Sequence, residues 1–140
     1  MEYIAEINDS VIIADILNRS FLTVALEFNL TVENSPRFPA FIGPGPIEYQ
    51  LNKGLKMYGY VADNIIAGCA GYSYLKDRVY LIERLATIPE HRHSGIGRKL
   101  MEFCEKQIEK AGGKTAGLFF RPAAIGLCYN TGIICLREGA

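Results

Sequence analysis

LIERLATIPEHRHSGIGRKLMEFCEKQIEKA, residues Leu81 to Ala111, changes its periodicity twice within one stretch. From Tyr80, just ahead of it, Ile82, Arg84 and Ala86 alternate with Leu81, Glu83, Leu85 and Thr87. That period of two predicts a strand, and because both faces are largely apolar the strand is expected to be central. One carboxylate, Glu83, interrupts the apolar run. From Ile96 the period becomes helical: Ile96, Leu100, Phe103, Cys104, Ile108 and Ala111 share a face, and Arg98, Lys99, Glu102, Glu105 and Glu109 turn away from it. Gly112 and Gly113 supply a left-handed stop.

Between strand and helix lies Pro89-Glu90-His91-Arg92-His93-Ser94-Gly95-Ile96-Gly97. Pro89 has no N–H to continue a ladder. Gly95 and Gly97 remove side chains where a bulky anion has to approach the first helical turn, whose free N–H groups and dipole favour negative charge. Arg92, Arg98 and Lys99 add positive charge against Glu90, in a chain whose fifteen basic and fifteen acidic residues otherwise cancel. Two other phosphate loops fit poorly. A Walker loop needs G-x-x-x-x-G-K-[ST], and Gly97 is followed by Arg98-Lys99-Leu100. A dinucleotide fingerprint needs a third glycine where Leu100 stands.

Arg92, Gly95 and Gly97 form R-x-x-G-x-G behind the strand end Leu85-Ala86-Thr87 and Pro89-Glu90, and this arrangement resembles the acetyl-CoA signature of the GNAT superfamily of N-acetyltransferases over roughly residues 57–120. The resemblance implies a single α/β (α+β) domain over residues 1–140. Its mixed central sheet would have antiparallel N-terminal strands, a parallel pair around the cofactor helix, and helices on both faces. It implies acetyl-CoA as co-substrate, held through Arg92, His93, Ser94, Gly95, Ile96, Gly97, Arg98 and Lys99 at the diphosphate and through Leu85, Ala86 and Thr87 along the pantetheine arm. The acceptor would be the amine of a small molecule or peptide.

Such an amine has a pKa of about 10.4, so a base must take its proton at neutral pH. Glu83 is the candidate, directly or through water; the competing reading pairs it with Arg84 or another basic residue in the sheet. The leaving thiolate, with a thiol pKa of about 8.5, needs less help. The family's usual acid is a tyrosine near the C-terminal end. Counted back from Gly132 that place falls on Cys128, with Tyr129 one position late, so Tyr129 and Cys128 are both candidates. The departure keeps open a second class, an acyl-CoA-binding sensor that does not turn over, and a third, a pure interaction domain.

A chain of 140 residues suits one domain with a sizeable core. Balanced charge gives no global pull toward nucleic acid or an anionic membrane. No apolar run reaches the length of a membrane span and no signal-peptide pattern is visible, which predicts a cytoplasmic protein. Cys69, Cys104, Cys128 and Cys135 occur singly, which predicts buried free thiols. His91, His93 and Glu90 lack further partners for a metal, so none is expected.

Elsewhere, residues 3–7 suggest a short strand, and Asp9 or Ser10 caps a helix running to about Asn29. Residues 31–46, rich in proline and glycine, read as an irregular loop. Phe38 and Phe41 there either line an acceptor pocket or anchor the loop to the core. A second helix is expected over Ile47–Lys56, then two strands, Met57–Ala62 and Ile65–Leu75, joined at Asp63-Asn64. Thr115–Phe120 would follow the central helix as a parallel strand through a right-handed crossover. A short helix over Pro122–Asn130 and a last strand over Gly132–Arg137 complete the expected order, and a homodimer would complete a short terminal strand pair from a second subunit.

Overall fold

The computed structural model describes residues 1–116. Five strands, β1 (Tyr3–Glu6), β2 (Lys56–Ala62), β3 (Ile65–Lys76), β4 (Val79–Thr87) and β5 (Lys114–Ala116), lie side by side in chain order. The first three pairings are antiparallel, and β4 pairs β5 in parallel across Val79–Leu81 and Lys114–Ala116. The helices are α1 (Ser10–Glu27), α2 (Pro44–Asn52) and α3 (Ile96–Lys110). β2–β3 and β3–β4 are joined by two-residue turns, Asp63-Asn64 and Asp77-Arg78, with all four residues at positive φ, whereas β1 reaches β2 through α1 and α2. Such primed turns match the twist of the flanking strands, and Asp and Asn tolerate the conformation. Only the parallel pair needs a crossover, and α3 provides it.

α3 packs on one face of the sheet with Ile96, Leu100, Met101, Cys104 and Ile108 buried. Met101 replaces two expected core residues: Phe103 is half-buried and Ala111 is the exposed C-cap. Gly112, at φ 78°, makes the left-handed stop, and its carbonyl accepts from Arg78 Nε and Nη2 at 3.0 and 2.8 Å. A cation is thereby placed at the negative end of the helix, joining it to the β3–β4 turn.

α1 covers the other face, its N-terminus capped by Asp9 Oδ1, which accepts from the amides of Val11 and Ile12 at 2.9 and 3.3 Å. α2 begins three residues before the expected start. Pro44 and Pro46 sit in its first turn, where a missing N–H costs nothing. It also ends earlier, because Gly54 at φ 107° turns the chain so that Lys56 enters β2. The rest of the proline-rich segment is ordered by α1. Asn18 Nδ2 donates to the carbonyls of Pro39 and Ile42 at 2.9 and 3.0 Å, and Phe38 lies edge-on to Phe21 with centroids 5.7 Å apart. Phe38 and Phe41 therefore anchor this segment, with centroids 6.3 Å apart.

Candidate active site

β4 and β3 do not keep step. Glu83 pairs with Gly71 and Ala86 with Cys69, so three steps on β4 answer two on β3. The extra residue is a β-bulge at Arg84, whose φ is +58°. Because successive side chains change face, Glu83 and Ala86 share one face while Ile82 and Thr87 share the other. Simple alternation pairs Ala86 with Ile82 and Thr87 with Glu83, and the bulge reverses both assignments. Within β4 no residue type announces it, since arginine is not a bulge marker and glycine usually takes this conformation, but on β3 the shift falls between Cys69 and Gly71, where Gly68 and Gly71 interrupt the strand and glycine can mark a bulge.

Side chains hold the bulge. The Cys69 thiol donates to the Arg84 carbonyl at 3.4 Å, and burial pushes that thiol up to about 12, so it stays protonated and able to donate. Arg84 Nε donates to Gln50 Oε1 at 2.9 Å. Burial pulls the Arg84 guanidinium below its ordinary range, opposed by the nearby Glu83 carboxylate. Glu83 accepts at both oxygens, from Ser73 Oγ at 2.6 Å and from Gln50 Nε2 at 3.3 Å. Glu83 and Arg84 thus meet through Gln50 rather than as a direct ion pair. Gln50 and Ser73 carried no sequence signal, because their partners lie on other elements.

Beyond β4 the backbone stays attached to the sheet through Ile88 N–H, 2.9 Å from the Ala67 carbonyl. It makes a short 3₁₀ turn at Pro89–His91 and reaches α3 through Gly95, the N-cap residue at φ 84°. Among the described residues no side chain caps this helix. Its first backbone bond runs from Lys99 N–H to the Gly95 carbonyl at 3.1 Å, so the amides of Ile96, Gly97 and Arg98 are its open donors. A Cβ at Gly95 would meet nothing within 4 Å. Among the described residues, the space in front of Gly95, at the mouth of the helix, is therefore open.

The basic residues around this mouth divide by partner. The Arg92 guanidinium turns to α1: Nε donates to the Thr87 carbonyl at 3.2 Å, Nη1 to Thr23 Oγ1 at 2.9 Å, and Nη2 to the Ser20 carbonyl. Burial lowers its pKa, with Glu90 opposing. Lys99 Nζ lies 3.3 Å from Tyr60 Oη and 5.6 Å from that ring's centroid, and Tyr60 Oη donates to Glu2 Oε1 at 2.6 Å. Arg98 and His93 are exposed, His93 at φ 64°, and the Ser94 hydroxyl donates to the His91 carbonyl. Leu85, Ala86 and Thr87 are buried on the strand leading to the mouth. Tyr129 and Cys128 lie outside the described residues, as does the irregular tyrosine position they represent.

A mixed sheet whose bulged strand carries a hydrogen-bonded carboxylate and leads through a glycine hinge to the start of α3 defines an α/β domain. The sequence profile of the acetyltransferase (GNAT) family matches residues 19–128, well beyond the signature itself, and the chain belongs to that family. The fold is shared with a Pyrococcus horikoshii protein assigned to the acetyltransferases, 22% identical over 93% of this chain and 87% of the other, TM-score 0.67. It is shared also with a GCN5-related N-acetyltransferase from Ralstonia eutropha JMP134, 16% identical over 100% and 97%, TM-score 0.67. A third is the PaiA N-acetyltransferase from Thermoplasma acidophilum, solved in complex with coenzyme A, 17% identical over 93% and 86%, TM-score 0.63. No curated protein matches the chain. Among the described residues no helix is long and apolar enough to cross a membrane.

Proposed function

We propose that the protein moves an acetyl group from acetyl-CoA to a primary amine by direct attack within a ternary complex. The observation that carries this reading is the start of α3, where among the described residues the amides of Ile96, Gly97 and Arg98 are unspent and the space in front of Gly95 is open. A diphosphate suits that mouth, since it offers several acceptor oxygens and negative charge to a helix N-terminus. Coenzyme A bound to a fold neighbour supports the same choice of ligand.

Acetyl-CoA supplies the acyl group as a thioester. In this reading the turn from Arg92 to Lys99 holds the diphosphate, with exposed Arg98 adding charge and Arg92 contributing backbone while its guanidinium fixes the turn to α1. Backbone groups at Leu85, Ala86 and Thr87 carry the pantetheine arm, and an N–H near Leu85 stabilises charge developing on the carbonyl oxygen. Glu83, held by Ser73 and Gln50, takes the proton that makes the acceptor ammonium a nucleophile. Tyr129 or Cys128 would return a proton to the departing thiolate.

Thiol release from acetyl-CoA, measured against a panel of small amines, amino acids and peptides, tests the reading. Release above background hydrolysis with at least one amine is expected. Tight binding of acetyl-CoA with no release on any of them would instead make the protein an acyl-CoA sensor.

A further inference from the structure

Gln50 stands where three elements meet. It lies on α2 and is half-buried. Its Oε1 accepts from Arg84 Nε on β4 at 2.9 Å, and its Nε2 donates to Glu83 Oε1 at 3.3 Å. A guanidinium can only donate, and an ionised carboxylate can only accept. The amide therefore has a single orientation that satisfies both neighbours, and reversing it would set N–H against N–H and oxygen against oxygen. Arg84 is fixed in turn, by the bulge that places it at φ +58° and by the Cys69 thiol on its carbonyl.

We propose that Gln50 is a positioning residue for Glu83: Arg84 sets the orientation of the Gln50 amide, and that amide, with Ser73, fixes the carboxylate that receives the acceptor's proton. This role rests on the acetyl-transfer reading. Among the described residues the groups facing Glu83 are Gln50 from α2, Ser73 from β3 and the Arg84 guanidinium from β4, the last acting through Gln50. Because α2 follows directly on the Pro39–Phe41 segment clamped by Asn18, the orientation of the base is tied to the placement of that segment. A carboxylate left with Ser73 alone keeps one restraint and loses the one that comes from α2.

The experiment is a pH series of thiol release, with acetyl-CoA and the best amine, on wild type, Gln50→Leu and Gln50→Glu. Gln50→Leu removes both hydrogen bonds, and kcat is expected to fall about tenfold or more while the KM for acetyl-CoA stays within about twofold. Gln50→Glu keeps the shape and still accepts from Arg84, yet sets a second carboxylate against Glu83. The pair then retains a proton to higher pH, so the rising limb of the rate profile moves up by about one pH unit or more. The moved limb shows that position 50 faces the base, the fall in kcat at unchanged KM in Gln50→Leu shows that its amide matters there, and the near-isosteric Gln50→Glu keeps the test open should Gln50→Leu fold poorly. Profiles that superimpose on an active wild type, with kcat within twofold, overturn the role of Gln50 alone. A wild type that releases no thiol with any amine overturns the acetyl-transfer reading, and this role with it.

Discussion

At Arg84 a residue with a full side chain occupies a left-handed backbone conformation, which costs on the order of 1–3 kcal/mol and persists only where its surroundings enforce it. Here they do, through a buried thiol on its carbonyl and an amide on its guanidinium. The consequence falls on its neighbour, because the bulge puts Glu83 on the face where Gln50 can reach it. Glu83 itself was legible in the sequence, as the single carboxylate in an apolar strand. Its partners were not, since Gln50 and Ser73 are distant in sequence and ordinary in type. Replacing Glu83 with glutamine is expected to lower kcat by roughly 10²–10⁴ while leaving the dissociation constant for acetyl-CoA unchanged. Rapid-mixing thiol release paired with calorimetry checks both halves, and unchanged turnover would remove Glu83 as the base.

Among the elements, α1 does most to bring the parts together. Two residues apart, Asn18 holds the carbonyls of Pro39 and Ile42, and the Ser20 carbonyl receives Arg92 from the turn before α3. One helix thus fixes both the proline-rich segment and the turn that leads to α3. The helical period of α1 was readable, but its polar ties were not, because Asn18 and Thr23 look like ordinary polar positions in a helix. Arg92 was the harder case: a basic residue in a phosphate turn is naturally read as a charge for phosphate, whereas its guanidinium is spent on α1 and the Thr87 carbonyl. Arg92→Lys separates the two uses, since lysine keeps the charge but lacks the planar fork. Several-fold weaker acetyl-CoA binding is expected by calorimetry at fixed ionic strength. Full affinity in Arg92→Lys would show that charge alone is what the position supplies. α2 carries the related lesson that prolines at a helix start can be mistaken for its interruption, because their cost depends on which N–H they remove.

Across the sheet, two-residue turns force β2, β3 and β4 to be antiparallel neighbours and the crossover through α3 permits the parallel pair β4–β5, while the long connection through α1 and α2 brings β2 back antiparallel to β1. The layers then close over Cys69 and Cys104, both free, buried and pushed by burial from an ordinary thiol value of 9.0 to about 12. Burial also raises the Tyr58 phenol. The sign follows from where protons are lost first. The unfolded chain sheds these thiol protons near pH 9.0 while the folded protein holds them to about pH 12, so stability is complete below the lower value and falls as pH rises through that window. Urea midpoints should drop over that range. The double variant Cys69→Ala/Cys104→Ala should drop less steeply, and an equal slope would mean that other groups set the alkaline limit.

The central claim is that the mouth of α3 receives the diphosphate of acetyl-CoA, and it can be read amide by amide. In nuclear magnetic resonance spectra of nitrogen-labelled protein titrated with acetyl-CoA, the amides of Gly95, Ile96, Gly97 and Arg98 should show the largest shifts, in the direction of stronger hydrogen bonding, and should saturate together. A titration in which those four stay in place, whether other amides move or none do, contradicts the account.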